Sequence, residues 1–176
     1  MSSREADVEG FDLLVSTGRG LEARCISDLG SILGEGDSVF RASKTVFSGL
    51  IKAWVGGEAR RAVGTIRDTL IEEPWHNDVI KRVVPIDTVV TNDPSSIVSA
   101  ARDLLERYKP DTGESFRVRI RKRGSDTDRM ALIRELADLL ENPVDLDKPD
   151  FELRVEMVRS VAGVSLIRRG EIFPDL

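Results

Sequence analysis

Arg117, Arg119 and Arg121 recur at every second position of the segment FRVRIRKRG, residues 116–124. In an extended chain that spacing puts three guanidinium groups on one face, about 6.5–7 Å apart, and Phe116, Val118 and Ile120 on the other. Lys122 and Arg123 carry the charge into the following turn, and Arg168 and Arg169 add two cations near the end of the chain. Guanidinium bonds phosphate in a planar, bidentate way, and phosphates along a nucleic-acid strand repeat on a similar scale. A structural use of the same charges competes with that chemistry. Glu152, Arg154 and Glu156 alternate in FELRVEMV, and Arg–Glu pairs across neighbouring strands are an ordinary way to finish a solvated sheet face.

Catalytic chemistry has weaker candidates. In TGRGLEA the turn Gly18-Arg19-Gly20 follows a strand pattern and opens a helix pattern. That is the setting in which glycines and helix N–H groups hold the pyrophosphate of a dinucleotide, ATP or an acyl-CoA. An acidic residue gripping ribose should end the second strand, whereas Asp37 precedes it, so an enzyme using this turn is a lesser alternative. His76 is the single histidine, in PWHN beside Trp75, and is expected to be a solvated loop residue. Cys25 is the single cysteine, which excludes an intrachain disulfide and a cysteine-based zinc cluster. DLDKPD, residues 145–150, lacks the glycine and terminal glutamate of a calcium loop. No residue set reads as catalytic, and no metal or cofactor is implied. The expectation is a chain that is not an enzyme.

Composition sets the frame for these residues. The 176 residues are 40% hydrophobic and 32% charged, a globular rather than a disordered balance. With 31 acidic against 26 basic side chains the formal net charge is −5, so any nucleic-acid contact must use a local basic surface. Aromatics make up 5%, which leaves little for unpaired bases to stack on. The N-terminal MSSREADVEG has no apolar core and is expected to be a disordered tail over residues 1–10. No apolar run approaches the ~20 residues of a membrane span, and a cytoplasmic protein is expected.

The elements that must position the candidates follow from periodicity. Phe11–Thr17 reads as a strand, and Leu21, Cys25, Leu29, Ile32 and Leu33 form a helical stripe. SVFRA and TVFSGLIKAWV read as two strands about a Ser43-Lys44 turn. Ala59, Ala62, Val63, Ile66 and Leu70 mark a second helix, and Asp78–Ile86 a fourth strand. That β-α-β-β-α-β order predicts a ferredoxin-like domain over 11–90, with both helices on one face of an antiparallel sheet. Thr91–Ser96 reads as the domain boundary, with Asp93 capping a helix striped by Ile97, Ala101, Leu104, Leu105 and Tyr108. The basic strand follows. Then comes a helix capped by Ser125 or Asp126 with Ile133, Leu136, Ala137 and Leu140 inward, the FELRVEMV strand, and a last strand in VAGVSLIRR.

In this order, FRVRIRKRG, PVDLDKPDFELRVEMV and VAGVSLIRRG closely resemble a THUMP domain, and KRVVPIDTVV resembles the lead-in that commonly precedes one. The resemblance implies an α/β (α+β) protein with a ferredoxin-like domain followed by a THUMP RNA-binding domain over 91–176. It implies RNA contacts through Arg117, Arg119, Arg121, Lys122, Arg123, Arg168 and Arg169. With the sequence closing at Leu176, the layout looks like the stand-alone THUMP proteins that assist tRNA cytidine acetylation. The implied role is a tRNA-binding adaptor that presents tRNA, by its acceptor region, to a separate acetyltransferase forming 4-acetylcytidine. The alternative is an RNA-binding subunit of another tRNA-modifying enzyme, for thiolation or methylation. No membrane partner is implied.

Overall fold

The computed structural model describes residues 10–34 and 40–176. The expected tail over residues 1–10 lies outside them except for Gly10, as does Asp37. The chain divides into two units, one running to Ile86 and including Gly170–Asp175, the other from Asp87 to Arg169 with Leu176.

The first unit contains β1 (Leu13–Ser16), α1 (Glu22–Leu33), β2 (Arg41–Lys44), β3 (Leu50–Trp54), α2 (Ala59–Glu72) and β4 (Arg82–Pro85). Its sheet runs β2-β3-β1-β4 with every pairing antiparallel. Strand alternation sends Leu13, Val15, Ile51, Ala53 and Val83 toward the helices, where they meet Cys25 and Leu29 of α1 and Val63, Ile66 and Leu70 of α2. All five stripe residues expected on α2 are buried. Burial also pushes the Cys25 thiol up to about 12, so it acts as a small hydrophobe. A short segment from the far end of the chain completes the unit: Phe173 exchanges both backbone hydrogen bonds with Val83 on the outer edge of β4.

Two details differ from expectation. Ser43 and Lys44 belong to β2 rather than to a turn, and the chain reverses over Thr45–Gly49 instead. The Thr45 hydroxyl accepts from the Phe47 N–H, and Gly49, at φ +78°, passes so close to the Thr17 carbonyl that a Cβ would lie 2.6 Å from its oxygen. His76 is also not solvated. It lies in a 3-10 turn, Pro74–Asp78, with Nδ1 2.8 Å from Asp28 and Nε2 3.2 Å from Glu73.

The second unit contains β5 (Thr88–Thr91), α3 (Pro94–Tyr108), β6 (Phe116–Arg121), α4 (Arg129–Ala137), β7 (Phe151–Val158) and β8 (Val161–Arg168). The sheet order is β5-β8-β7-β6, parallel between β6 and β7 and antiparallel elsewhere. Strand β5 pairs with β8, and the second unit starts at Asp87. Asp93 caps α3 as expected, its carboxylate accepting from the Ser96 N–H. The cap of α4 is Asp128, which accepts from Ala131, whereas Ser125 bonds Thr127 in the preceding turn. Ile97, Ala101 and Leu104 of α3 and Leu132 and Leu136 of α4 cover Ile120, Val155, Met157, Ala162 and Val164. No helix among the described residues is long and apolar enough to cross a membrane.

Candidate nucleic-acid interface

Every second residue of β6 leaves the core face of its sheet, and the neighbouring strand decides what those residues meet. The parallel register sets Arg117 beside Glu152, Arg119 beside Arg154 and Arg121 beside Glu156. Strand β7 is an inner strand whose polar face is not a solvated surface: Glu152 and Glu156 are 0% exposed and Arg154 is 3% exposed. Three charged groups taken out of water need close partners, because an unpaired buried charge is costly. They find them in each other. Arg154 Nη1 donates to Glu152 at 3.1 Å and its Nε donates to Glu156 at 2.7 Å. The other carboxylate oxygens reach outward to β6 and the turn beyond it. Glu152 accepts from Arg117 Nε at 2.7 Å and lies 3.7 Å from Arg119 Nε, and Glu156 accepts from Arg123 Nη1 at 2.6 Å.

The expected RNA-contacting residues thus separate by environment. Arg117 is committed to Glu152 and to the Leu146 carbonyl, and Arg123 to Glu156. Arg168 bonds both carboxylate oxygens of Glu114, and its guanidinium holds that carboxyl below its usual range. Arg169 donates to the carbonyls of Lys148 and Pro149. With Arg117 it pins the 143–150 loop, which the Asp145 carboxylate closes by accepting from the Asp147 and Lys148 N–H groups. Arg119 keeps only its long contact, with 43% of its side chain exposed. Arg121 and Lys122 are exposed, and among the described residues no ion pair engages either. Four arginines lie against two buried carboxylates in this cluster, with Arg121 beside them, so positive charge remains in excess along the β6 edge. Glu114, which fixes Arg168, has its signal only in the DTGE turn, where nothing in the sequence points to a partner so distant.

The glycine turn does not form a phosphate cradle. Glu22 sits in the first turn of α1, accepts from the Gly49 N–H at 2.8 Å, and is held below its usual range chiefly by that bond. A carboxylate there opposes an anion, and the antiparallel sheet lacks the parallel crossover of a dinucleotide fold. Among the described residues no group of three or more His, Cys, Asp or Glu side chains could hold a metal ion.

Two α+β units, the second with a cation-rich edge strand beside a buried ionic row, define the class of the molecule. The second unit is a THUMP domain: residues 92–167 match the THUMP domain family. The wider fold is shared with solved structures. PH1313 from Pyrococcus horikoshii superposes with a TM-score of 0.64 at 16% identity, over 90% of this chain and 55% of its own. A 4-thiouridine synthetase in complex with RNA and ATP gives 0.54 at 12% identity, over 90% and 42%. A predicted N6-adenine-specific DNA methylase from Listeria monocytogenes gives 0.50 at 14%, over 94% and 42%. This chain therefore spans about half the length of the structures it resembles. No curated protein matches it.

These likenesses correct one expectation. The chain was expected not to be an enzyme, yet the same fold occurs within a 4-thiouridine synthetase and a predicted methylase. The lack of an active-site pattern in this stretch therefore does not separate it from catalytic proteins.

Proposed function

We propose that this chain is the tRNA-binding part of a tRNA-modifying enzyme system, of the thiolation or methylation kind, and that its first unit is ferredoxin-like. The observation that carries the reading is the THUMP domain at 92–167, with Arg119 half-exposed and Arg121 exposed on its edge strand and Lys122 exposed just beyond it. The 4-thiouridine synthetase complexed with RNA supports the thiolation side. The finer role of acetylation adaptor, with a separate acetyltransferase as partner, has no comparable support among these likenesses. In this reading Arg119, Arg121 and Lys122 contact RNA phosphates. Arg117, Arg123, Arg168 and Arg169 hold the strand and loop that present them. Binding through phosphates and shape, with few aromatics, suits a structured RNA.

The test is tRNA binding by the variant Arg119→Glu/Arg121→Glu/Lys122→Glu, measured by titration with an unmodified tRNA transcript. Charge-assisted hydrogen bonds contribute ~1.5–3 kcal/mol each, so affinity should fall by about tenfold or more per contact. The melting transition should stay in place, because none of the three supports the core. Unchanged affinity would remove the β6 edge from the RNA-binding surface.

A further inference from the structure

The sheet of the first unit has a second face, opposite α1 and α2, and one corner of it combines features suited to a ligand. Arg41 of edge strand β2 and Trp54 of β3 are register partners, and the Arg41 guanidinium lies 4.6 Å from the centre of an indole ring. Ser43 and Lys52 are the next pair on the same face. These four residues, with Gly10 and Phe11, line a shallow depression of about 270 Å³, open solvent included. The Ser43 hydroxyl oxygen is shielded from solvent and has no hydrogen-bond partner among the described residues.

We propose that this corner binds one unpaired nucleotide of a single-stranded RNA segment. The base stacks against the Trp54–Arg41 pair, and Arg41 and Lys52 draw the phosphate. An indole offers a π face that any base can use, and a guanidinium plane stacks on bases as well as bonding phosphate. Among the described residues no strand pairs with the outer side of β2. The carboxylate that borders it, Asp12, points its two oxygens at the Val55 and Gly57 N–H groups, at 2.8 and 2.7 Å, and its pKa is raised mainly by burial. The proposal rests on the RNA-binding reading but lies in the other unit from β6.

Trp54 and Trp75 are the two tryptophans, and Trp75 is exposed, so Trp75→Phe leaves Trp54 as the reporter. The probe is a short single-stranded RNA oligonucleotide of mixed sequence, with the same sequence closed into a hairpin duplex as comparison. The expected result is saturable quenching of Trp54 fluorescence by the single strand and much weaker quenching by the duplex. Arg41→Ala, at an exposed side chain, should weaken the single-strand titration about tenfold, within the range of a single stacked base, and leave the melting transition unchanged. No quenching, or equal quenching by the duplex or by inorganic polyphosphate, would overturn the proposal. Repeating the titration with Arg119→Glu/Arg121→Glu separates the two readings. Persisting Trp54 quenching supports this site whether or not tRNA affinity falls. Unchanged tRNA affinity sinks only the assignment of β6.

Discussion

Strands β6 and β7 carry similar alternating charges but place them in opposite environments. On β7, between β6 and β8, Glu152, Arg154 and Glu156 are buried and consume one another. On β6, the outermost strand, the arginines grade outward: Arg117 is 13% exposed and paired, Arg119 is 43% exposed with one long contact, and Arg121 is exposed. The difference teaches that strand position, not residue type, separates structural charge from charge available to a ligand. Ions buried on the inner strand must be neutralised by one another and by β6, whereas ions exposed on the edge strand can be left to solvent or phosphate.

The comparison breaks most severely at the buried carboxylates. Glu152→Ala or Glu156→Ala should each cost about 3–5 kcal/mol in urea unfolding, because each leaves buried guanidinium groups uncompensated. Arg154→Met should cost less than either, since Glu152 keeps Arg117, Glu156 keeps Arg123, and a buried Nη2 without a partner disappears. A loss as large as that of the glutamates would mean that Arg154 anchors the row. Arg123→Gln and Arg121→Gln then make a matched pair. The first should destabilise measurably by stripping Glu156 of one partner, while the second should stay within about 0.5 kcal/mol, as at an ordinary surface site.

The smallest effect is a pH dependence outside the ionic row. Glu114, Asp93 and Asp145 are held below their usual values, by Arg168, by the Ser96 N–H and by the Lys148 N–H respectively, each as the leading cause. A depressed folded pKa means stability that is complete above the unfolded value and lost as pH falls through the folded one. Unfolding midpoints should therefore decline as pH drops below the ordinary carboxylate range, and Glu114→Gln should flatten part of that decline. Asp12, raised by burial, acts in the opposite direction, its contribution being largest at low pH.

Long periodic segments were legible in the sequence. The α2 stripe and the alternations of β6 and β7 are seen where periodicity puts them, because each sets one continuous apolar face against the core. What the sequence hid depends on partners far along the chain. Strand β5 is four residues long between turns and exists through its pairing with β8. The turn at Thr45–Gly49 is set by the Thr45 hydroxyl and the reach of Glu22, which local composition does not reveal. The rank order of the arginines was hidden for the same reason. Arg117 and Arg121 are equivalent in an alternating pattern, and the register with β7 sets each beside a glutamate; the carbonyl of Leu146, and the Arg123 that takes Glu156, tell them apart.

The central claim is that the outer end of β6 meets phosphate while its paired neighbours do not, and the salt dependence of tRNA affinity tests it most directly. Each lost phosphate contact should reduce the slope of log K against log salt by ~0.7–0.9. Arg119→Gln/Arg121→Gln should therefore flatten the slope by about 1.4–1.8, whereas Arg123→Gln, assayed where it remains folded, should leave it near that of the parent. A slope unchanged by the double substitution, or flattened as much by Arg123→Gln, would contradict the account.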